Sequence, residues 1–440
     1  MVSTMDSRDA LVALDRKHVW RPFASTEDHE SRDPLVVTHA EGARLTDADG
    51  RTYLDATGSW WCTHLGHANP RLLSALRRQT EALPHCALAG IAHQPAAELA
   101  EALVAAAPVA EGDARLERVF FVDNGSTAVE VALKLAFQYW QQNGRPKRQR
   151  FLSLPGGYHG DTLGAMSLGA LDEVGAVFAP LLFATNDAKP VADPSGWAPT
   201  FDRLIGELES KGDTIAGVVV EPIVQGASGM RIYPPAELAR LREACDRADT
   251  FLIADEVFTG LGRTGPMWGC DHAGIAPDLL AVAKGLSGGL LPFGVTLASK
   301  RIHDGFRGDT RRAFLHGHTF CGNPLGAAVA LEVLRIYREE DLLASTAPKA
   351  RRLADAFAAM GELPGARHAR ALGMVGAVDL GEGGYHSRIG WAVQEAARER
   401  GIWLRPLGHV VYAVPPLNIT DEDLDTMLAG IHEALATVLG

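Results

Sequence analysis

A lysine ends an apolar run in the stretch "LLAVAKGLSGG", residues 279–289. Burying an ammonium group costs several kcal/mol unless another group compensates it. One explanation is structural, with the aliphatic stem of Lys284 buried and its amine in water. The other is chemical, because burial favours the neutral, nucleophilic form of an amine, which can condense with an aldehyde. The glycines that follow would let the backbone turn sharply beside a bulky ligand.

A carboxylate, Asp255, ends the preceding apolar run, about one strand–helix unit before Lys284. If both runs are parallel strands of one sheet, their C-terminal ends meet at a ligand crevice. Pyridoxal 5′-phosphate (PLP) is an aldehyde that needs such an acid, because a protonated pyridine nitrogen makes its ring an electron sink. Asp255 suits this role. A helix cap or a salt bridge is the structural alternative.

The stretch "FFVDNGSTAVEVALK" predicts a strand, a turn at Gly125 and an amphipathic helix that begins near Ser126. Backbone N–H groups at a helix N-terminus bind anions, so this turn is a candidate phosphate cradle. A plain N-cap serine is the alternative. The turn is not followed by the Lys-Ser/Thr pair of a nucleotide-binding P-loop.

Two further loops carry chemistry-bearing side chains. "GGYHGDT" (156–162) presents Tyr158, which could stack on a flat ring, and Asp161. "HGHTFCGNP" (316–324) contains His316, His318 and Thr319 before a predicted helix. Two histidines without a third ligand are improbable as a metal site, so we predict no metal. Donors aimed at a phosphate are the better interpretation of this second loop.

The composition excludes several functions. The formal net charge of the 440-residue chain is -12, which argues against nucleic acid and against an anionic membrane surface. Five dispersed cysteines without a CxxC pair indicate reduced thiols, as expected in the cytoplasm. We also expect no signal peptide and no membrane span, because charges interrupt the N-terminal apolar residues and no long apolar segment occurs.

The elements that must position these residues form an alternating pattern between about residues 116 and 300. Continuous apolar runs alternate with helical patterns, which predicts a doubly wound α/β domain with a mostly parallel sheet and helices on both faces. The predicted strands lie near 118–122, 215–223, 250–257, 278–285 and 293–299, and one clear helix lies near 236–249.

The two ends of the chain do not show this alternating strand–helix pattern. The N-terminal part contains alternating stretches and the Asp49-Gly50 turn signal of a small antiparallel sheet. After residue 326, long helical patterns precede the strand-like run "WLRPLGHVVYAVPP". We therefore expect a large ligand-binding domain at 60–325 and a small α+β domain built from 1–59 together with 326–440.

The motifs, taken together, resemble those of the class III pyridoxal-phosphate-dependent aminotransferases of fold type I. The resemblance rests on "DNGSTAVEVALKLA", "GYHGDT", "EPIVQGASGM", "LIADEVFTGLGRTG", "AKGLSGG" and "HGHTFCGNP". These matches run in order from about residue 18 to residue 418, which is nearly the whole chain.

The resemblance implies a role for each matched residue around PLP. Lys284, Asp255 and Tyr158 form the catalytic group: Lys284 binds the aldehyde and shuttles protons, and Asp255 pairs with the pyridine nitrogen. Tyr158 lies over one face of the ring with support from Asp161, and Val257 packs on the other face.

The resemblance also implies a homodimer with active sites at the subunit interface. Gly125 and Ser126 hold the phosphate from one subunit, and His318 and Thr319 of the partner subunit complete the cradle. On the substrate side, Trp60 and Tyr158 line the pocket. Gly317 approaches from across the interface.

The chain ends narrow the resemblance to one branch. "HVWRPFAS", "GSWWCTHLGH" and "RPLGHVVYAVPP" resemble the enzymes that aminate 8-amino-7-oxononanoate to 7,8-diaminononanoate in biotin synthesis. Arg405 then binds the keto-acid carboxylate, as suits a guanidinium fork. Phe23 is also expected on the substrate side, but it departs from a common pattern, because many relatives have a tyrosine there whose phenol would hydrogen-bond the substrate. A second departure is His318, where some relatives have proline. S-adenosylmethionine is the expected amino donor, with lysine as the alternative.

Three other functions stay open. The first is another class III aminotransferase, acting on an ω-amine such as 4-aminobutyrate or ornithine. The second is a PLP-dependent decarboxylase on the same scaffold. The third is a non-catalytic cofactor-binding protein, against which the complete set of Lys284, Asp255 and the phosphate cradle argues.

Overall fold

A computed structural model describes residues 8–109, 112–169, 175–185 and 196–440. Its strands, in chain order, are β1 (Val37–Glu41), β2 (Arg44–Asp47), β3 (Thr52–Asp55), β4 (Leu116–Val122), β5 (Arg150–Ser153), β6 (Ile215–Val220), β7 (Val224–Gln225), β8 (Arg231–Ile232), β9 (Phe251–Asp255), β10 (Leu279–Val282), β11 (Gly294–Ser299), β12 (Ala366–Leu372), β13 (Val375–Leu380), β14 (Ile402–Trp403) and β15 (Val410–Ala413).

The helices alternate with these strands. In chain order they are α1 (Arg8–His18), α2 (Thr26–Ser31), α3 (Gly58–Trp61), α4 (Pro70–Ala82), α5 (Gln94–Ala106), α6 (Gly125–Gln142), α7 (Leu163–Leu168), α8 (Trp197–Lys211), α9 (Pro235–Arg247), α10 (Lys300–Asp304), α11 (Pro324–Glu339), α12 (Leu342–Met360), α13 (Ile389–Glu399) and α14 (Asp421–Leu439). Short 3-10 helices occur at Gly112–Ala114, Ala176–Leu181, Gly212–Thr214, Gly269–Ala273, Lys284–Ser287 and Thr310–Arg312.

A six-stranded sheet in the order β4-β11-β10-β9-β6-β5 forms the centre of the molecule. The pairs β5–β6, β6–β9 and β9–β10 are parallel, whereas β11 runs antiparallel to both β10 and β4. The mostly parallel sheet predicted from the sequence is therefore confirmed. The exception has a simple cause: the connection between β10 and β11 holds only a 3-10 helix, and a parallel return needs a longer crossover.

Helices cover both faces of this sheet, because successive residues of β9 pack against different helices. Phe251 and Ile253 pack with the buried face of α6, and Leu252 packs in the core that includes α8 and α9. All five residues of β9 and all six of β6 are buried. Residues buried on both faces explain why these strands are apolar throughout rather than alternating.

One of the smaller sheets combines segments from both ends of the chain. β1, β2 and β3 are antiparallel, as predicted, and β14 then adds to β3 in parallel. β12, β13 and β15 form a separate three-stranded sheet. The strand-like run after residue 402 is thus divided between two sheets. None of the helices in the described part of the chain is long and apolar enough to cross a lipid bilayer.

Candidate active site

A cavity of about 540 Å³ opens where β9 and β10 end at their carboxyl sides. This is the position at which open α/β sheets bind ligands. Six residues predicted for the site line the cavity: Gly125, Ser126, Tyr158, Asp255, Val257 and Lys284.

Lys284 lies two residues beyond the end of β10 and opens a short 3-10 helix. Ala281 of β10 pairs with Asp255 of β9, so the predicted adjacency of the two strand ends is confirmed. The Lys284 side chain is half-buried, and its Nζ lies 5.1 Å from the ring centroid of Trp61. Lys284 has a φ of 31°, an uncommon conformation for a residue other than glycine. Such strained residues cluster at functional sites.

The Asp255 carboxylate is buried and held on both sides. Its Oδ2 lies 2.7 Å from Nδ1 of His159, and its Oδ1 accepts the Val257 N–H at 3.1 Å. Burial alone would lower the pKa of His159, but the hydrogen bond and charge of Asp255 outweigh it, so the pKa is raised. The pair therefore favours an imidazolium next to a carboxylate.

A second buried carboxyl, Glu221, lines the same cavity directly after β6. It accepts the N–H groups of Tyr158 and Gly226, each at 2.9 Å. Burial raises the pKa of Glu221 to about 7, although the nearby His159 acts in the opposite direction. Glu221 thereby fixes the backbone of the loop that carries Tyr158.

The N-terminus of α6 forms a cradle at one end of the cavity. The Asn124 side chain caps this 18-residue helix by accepting the Thr127 N–H at 3.0 Å. A Cβ at Gly125 would lie 2.6 Å from Cγ1 of Val257, so only glycine leaves this space open. Ser126 Oγ accepts the Asp161 N–H at 3.3 Å, which ties the cradle to the neighbouring loop.

That loop presents Tyr158 beside the cradle. The Tyr158 hydroxyl donates to Asp161 Oδ2 at 2.8 Å, as the predicted support requires. Burial and this hydrogen bond raise the pKa of Tyr158, so the phenol stays protonated.

Trp60, Phe23 and Arg405 form a separate group next to the cavity. The Arg405 guanidinium lies 4.2 Å from the centroid of the Trp60 ring, and Phe23 meets that ring edge-on at 5.5 Å. Trp60 and Phe23 are exposed, and Arg405 is half-buried. Three of the five residues predicted for the substrate side therefore come together, although 345 residues separate Trp60 from Arg405.

The loop at 316–320 is not among the residues lining the cavity of its own chain. Gly317, His318 and Thr319 are exposed, and His318 Nε2 lies 3.6 Å from Asp123 Oδ1, which does line the cavity. The contribution of this loop to a partner's site stays a prediction.

Sequence reasoning missed His159 and Glu221. Glu221 follows a buried parallel strand just as Asp255 ends one, so the same rule would have found it. His159 gave no comparable signal, because it lies in a glycine-rich loop without periodicity. Cys62 and Trp61, which also line the cavity, follow a turn whose backbone sequence rules do not foresee.

Residues 26–435 match the family model for class-III aminotransferases. The chain belongs to this family. It is 39% identical to an adenosylmethionine-8-amino-7-oxononanoate aminotransferase of Geobacter sulfurreducens, with 97% of each chain covered. A crystal structure of the enzyme with the same name from Methanocaldococcus jannaschii superposes with a TM-score of 0.93 at 32% identity, covering 98% of this chain and 99% of that one.

An amine transaminase from an uncultivated Pseudomonas species, solved in its PLP-bound form, is also similar. Its TM-score is 0.87 at 33% identity, with 96% of this chain and 99% of that one covered. The resemblance to class III aminotransferases drawn from the motifs is therefore confirmed, and so is the α/β architecture of fold type I.

Proposed function

We propose that this class III aminotransferase uses PLP to convert 8-amino-7-oxononanoate to 7,8-diaminononanoate, with S-adenosylmethionine as amino donor. The observation that carries the proposal is the meeting of the Lys284 amine, the buried Asp255 carboxylate and the α6 N-terminus in one cavity. The printed names of the relatives from Geobacter sulfurreducens and Methanocaldococcus jannaschii support the substrate and the donor.

The residues of the cavity fit PLP. A helix N-terminus with a glycine at its first position suits a phosphate, because no side chain at that position blocks access to the backbone N–H groups. A buried carboxylate suits a protonated ring nitrogen, and the half-buried Lys284 amine suits an aldehyde. When bound, PLP supplies an electron sink for the carbon that carries the amine.

The protein side of the chemistry is acid–base catalysis by Lys284. We propose that its Nζ removes the proton from the amino-bearing carbon of the donor and later protonates the carbon that is aminated. Asp255, which is hydrogen-bonded to His159, supplies negative charge at the ring nitrogen. Its buried position keeps water from screening that charge.

The other cavity residues bind and orient. Gly125 and Ser126 hold the phosphate, Tyr158 covers one ring face, and Val257 packs on the other. The protonated Tyr158 hydroxyl is fixed by Asp161, so the ring is held in one orientation.

The group of Trp60, Phe23 and Arg405 forms the proposed substrate side, together with Tyr158. Arg405 offers a bidentate fork to the keto-acid carboxylate, and its stacking on Trp60 orients that fork before the substrate arrives. Phe23 lacks a hydroxyl and contributes only its apolar edge.

We propose a homodimer in which Gly317, His318 and Thr319 of one subunit reach the other subunit's phosphate cradle. Support comes from the apolar side chains that the described chain leaves exposed near this loop, such as Leu315 and Phe320. Single exposed residues are ordinary, but a cluster of them marks an interaction surface.

The remaining proposals concern organisation. The split into a large domain at 60–325 and a small one from 1–59 and 326–440 is supported by the parallel pairing of β14 with β3. A cytoplasmic location is supported by the five dispersed cysteines.

One alternative has a specific observation in its favour. The similar Pseudomonas structure is named an amine transaminase, so an ω-amine substrate is the second candidate. Purified protein assayed with 8-amino-7-oxononanoate, 4-aminobutyrate and ornithine separates the two, and S-adenosylmethionine against lysine identifies the donor. Carbon dioxide release would instead indicate a decarboxylase.

The test of the core proposal is Lys284→Ala. The variant should lose the absorbance of covalently bound PLP and the amino transfer in a single turnover. Lys147→Ala, at an exposed position in the loop after α6 and outside the cavity lining, is the matched control and should keep both. Single-turnover transfer at the wild-type rate in Lys284→Ala would refute the role of Lys284.

A further inference from the structure

Four consecutive residues at the edge of the cavity have a left-handed backbone. The φ angles of Gly58, Ser59, Trp60 and Trp61 are 52°, 48°, 64° and 73°. This conformation is unfavourable for residues other than glycine, because Cβ crowds the following carbonyl oxygen. It persists only where surrounding groups impose it.

The Asp55 carboxylate imposes it from behind. This side chain is fully buried at the end of β3. Its Oδ1 accepts both the N–H and the hydroxyl of Thr57, at 3.1 and 2.9 Å. Its Oδ2 accepts the Ser59 N–H at 2.7 Å and lies 3.0 Å from Nε2 of His67. One carboxylate thus holds the entry to the left-handed turn and its second residue.

The turn sends two adjacent tryptophans to different parts of the site. Trp60 lies under the Arg405 guanidinium, as described above. Trp61 is buried against Phe258 at 4.6 Å and donates its Nε1–H to the Tyr412 hydroxyl at 3.3 Å. The Lys284 Nζ lies over its ring, 5.1 Å from the centroid. A right-handed turn would rotate successive side chains about the chain in the opposite sense, so Trp60 and Trp61 would point away from these partners.

We infer that Asp55 is a positioning residue for the substrate side of this site: it holds the left-handed turn and so places Trp60 and Trp61, without touching the substrate. The identity of the substrate rests on the proposed function. The action of Asp55 on the turn does not.

Asp55→Asn is the sharpest perturbation, because asparagine has the same shape but only one oxygen. If that oxygen stays with Thr57, its amide N–H₂ faces the Ser59 N–H and that hydrogen bond is lost. Asp47→Asn is the matched control. Asp47 is also a buried carboxylate that accepts two backbone N–H groups and a hydroxyl, from Asp49, Arg51 and Tyr53, but it does so in the β2–β3 turn.

Two measurements are needed, one that reports on the conformation of the turn and one that reports on the reaction. The first is the rate at which iodoacetamide labels Cys62, measured by peptide mass spectrometry on the protein without cofactor. The half-buried Cys62 thiol lies 3.5 Å from the Trp60 carbonyl oxygen, so a loosened turn exposes it. The second is KM against kcat for 8-amino-7-oxononanoate, with PLP absorbance measured in parallel.

We expect Asp55→Asn to speed Cys62 labelling and to raise KM about tenfold, the effect of losing one hydrogen bond to a charged group. The value of kcat and the PLP absorbance should change little. In a Trp60→Ala background the effect of Asp55→Asn on KM should shrink to about threefold or less, because the group it places is gone. Asp47→Asn should leave labelling and KM at wild-type values.

Unchanged Cys62 labelling and KM in Asp55→Asn would overturn the inference, as would equal effects in Asp47→Asn. If Asp55→Asn does not fold, His67→Gln removes one partner of the same carboxylate and should shift labelling in the same direction, with no shift overturning the inference. A wild-type protein inert toward 8-amino-7-oxononanoate would refute the proposed function instead, while Cys62 labelling would still decide the role of Asp55.

Discussion

The buried carboxyl of Glu221 makes the stability of this protein depend on pH in a predictable way. Burial raises its pKa from the usual 4.5 to about 7. Glu221→Gln removes the titrating group and keeps the shape of the side chain. The glutamine still offers one oxygen to the N–H of Tyr158 or Gly226, and it leaves the other N–H facing its amide group.

The sign and the size follow from linkage. The pKa of Glu221 is higher in the folded state than in the unfolded chain. Its unfavourable contribution to folding free energy is therefore absent below about pH 4.5, where Glu221 is protonated in both states. The contribution grows as the pH rises toward 7, where the unfolded chain has already released its proton. Once Glu221 is ionised in both states, it costs about 3 kcal/mol of folding free energy. The variant escapes this cost, whereas the loss of one hydrogen bond is the same at every pH.

The assay is urea unfolding of the wild type and the variant, both without cofactor and at equal protein concentration. Between about pH 5 and pH 8, the difference in unfolding free energy should shift by about 2–3 kcal/mol in favour of Glu221→Gln. Glu81→Gln, at an exposed position of α4, is the control and should show no such shift. A difference between Glu221→Gln and wild type that stays constant across this range would refute the reasoning.

Three further predictions test the cradle, the substrate side and the turn. Gly125→Ala should raise the dissociation constant for PLP at least about tenfold in an absorbance titration, since its Cβ would lie 2.6 Å from the Val257 side chain; unchanged binding would contradict the cradle. Arg405→Ala should raise KM for the keto-acid about ten- to a hundredfold, with kcat less affected, because charged hydrogen bonds to the carboxylate are lost. A wild-type KM would exclude Arg405 from carboxylate binding. Gly58→Ala should lower the free energy of unfolding by about 1–2 kcal/mol or more, because the φ of Gly58 is 52° and the new Cβ would lie 2.8 Å from the Val414 carbonyl oxygen. Denaturation at the wild-type midpoint would show that the turn relaxes without cost.

The sequence predicted the centre of the fold because its signal is strong there. Continuous apolar runs at 215–223 and 250–257 are typical of strands buried on both faces, and they placed Asp255 next to Lys284 correctly. The reversal of β11 was not predicted, because an apolar run reads the same in either direction. Only the short connection between Val282 and Gly294 carried that information.

The remainder of the site depends on interactions that no local pattern encodes. The left-handed backbone at Ser59, Trp60 and Trp61 contradicts the propensities of these residues, so it becomes visible only with the buried Asp55 that holds it. His159 likewise looks like any loop histidine until its contact with Asp255 is seen. Local rules fail at these positions because tertiary contacts override them.

The pairing of β14 with β3 has a consequence for how the chain is made. The N–H groups of Leu54 and Ala56 bond to the carbonyls of Gly401 and Trp403, so the ribosome must synthesise the chain as far as residue 403 before this edge is paired. Until then, the β3 edge that pairs with β14 has no hydrogen-bonding partner, and Trp60 has no contact with Arg405. Such distant partners slow the search for the native state and leave intermediates prone to aggregate. A nascent chain stalled before residue 402 would therefore depend on chaperones, whereas the interior sheet is already complete by residue 299.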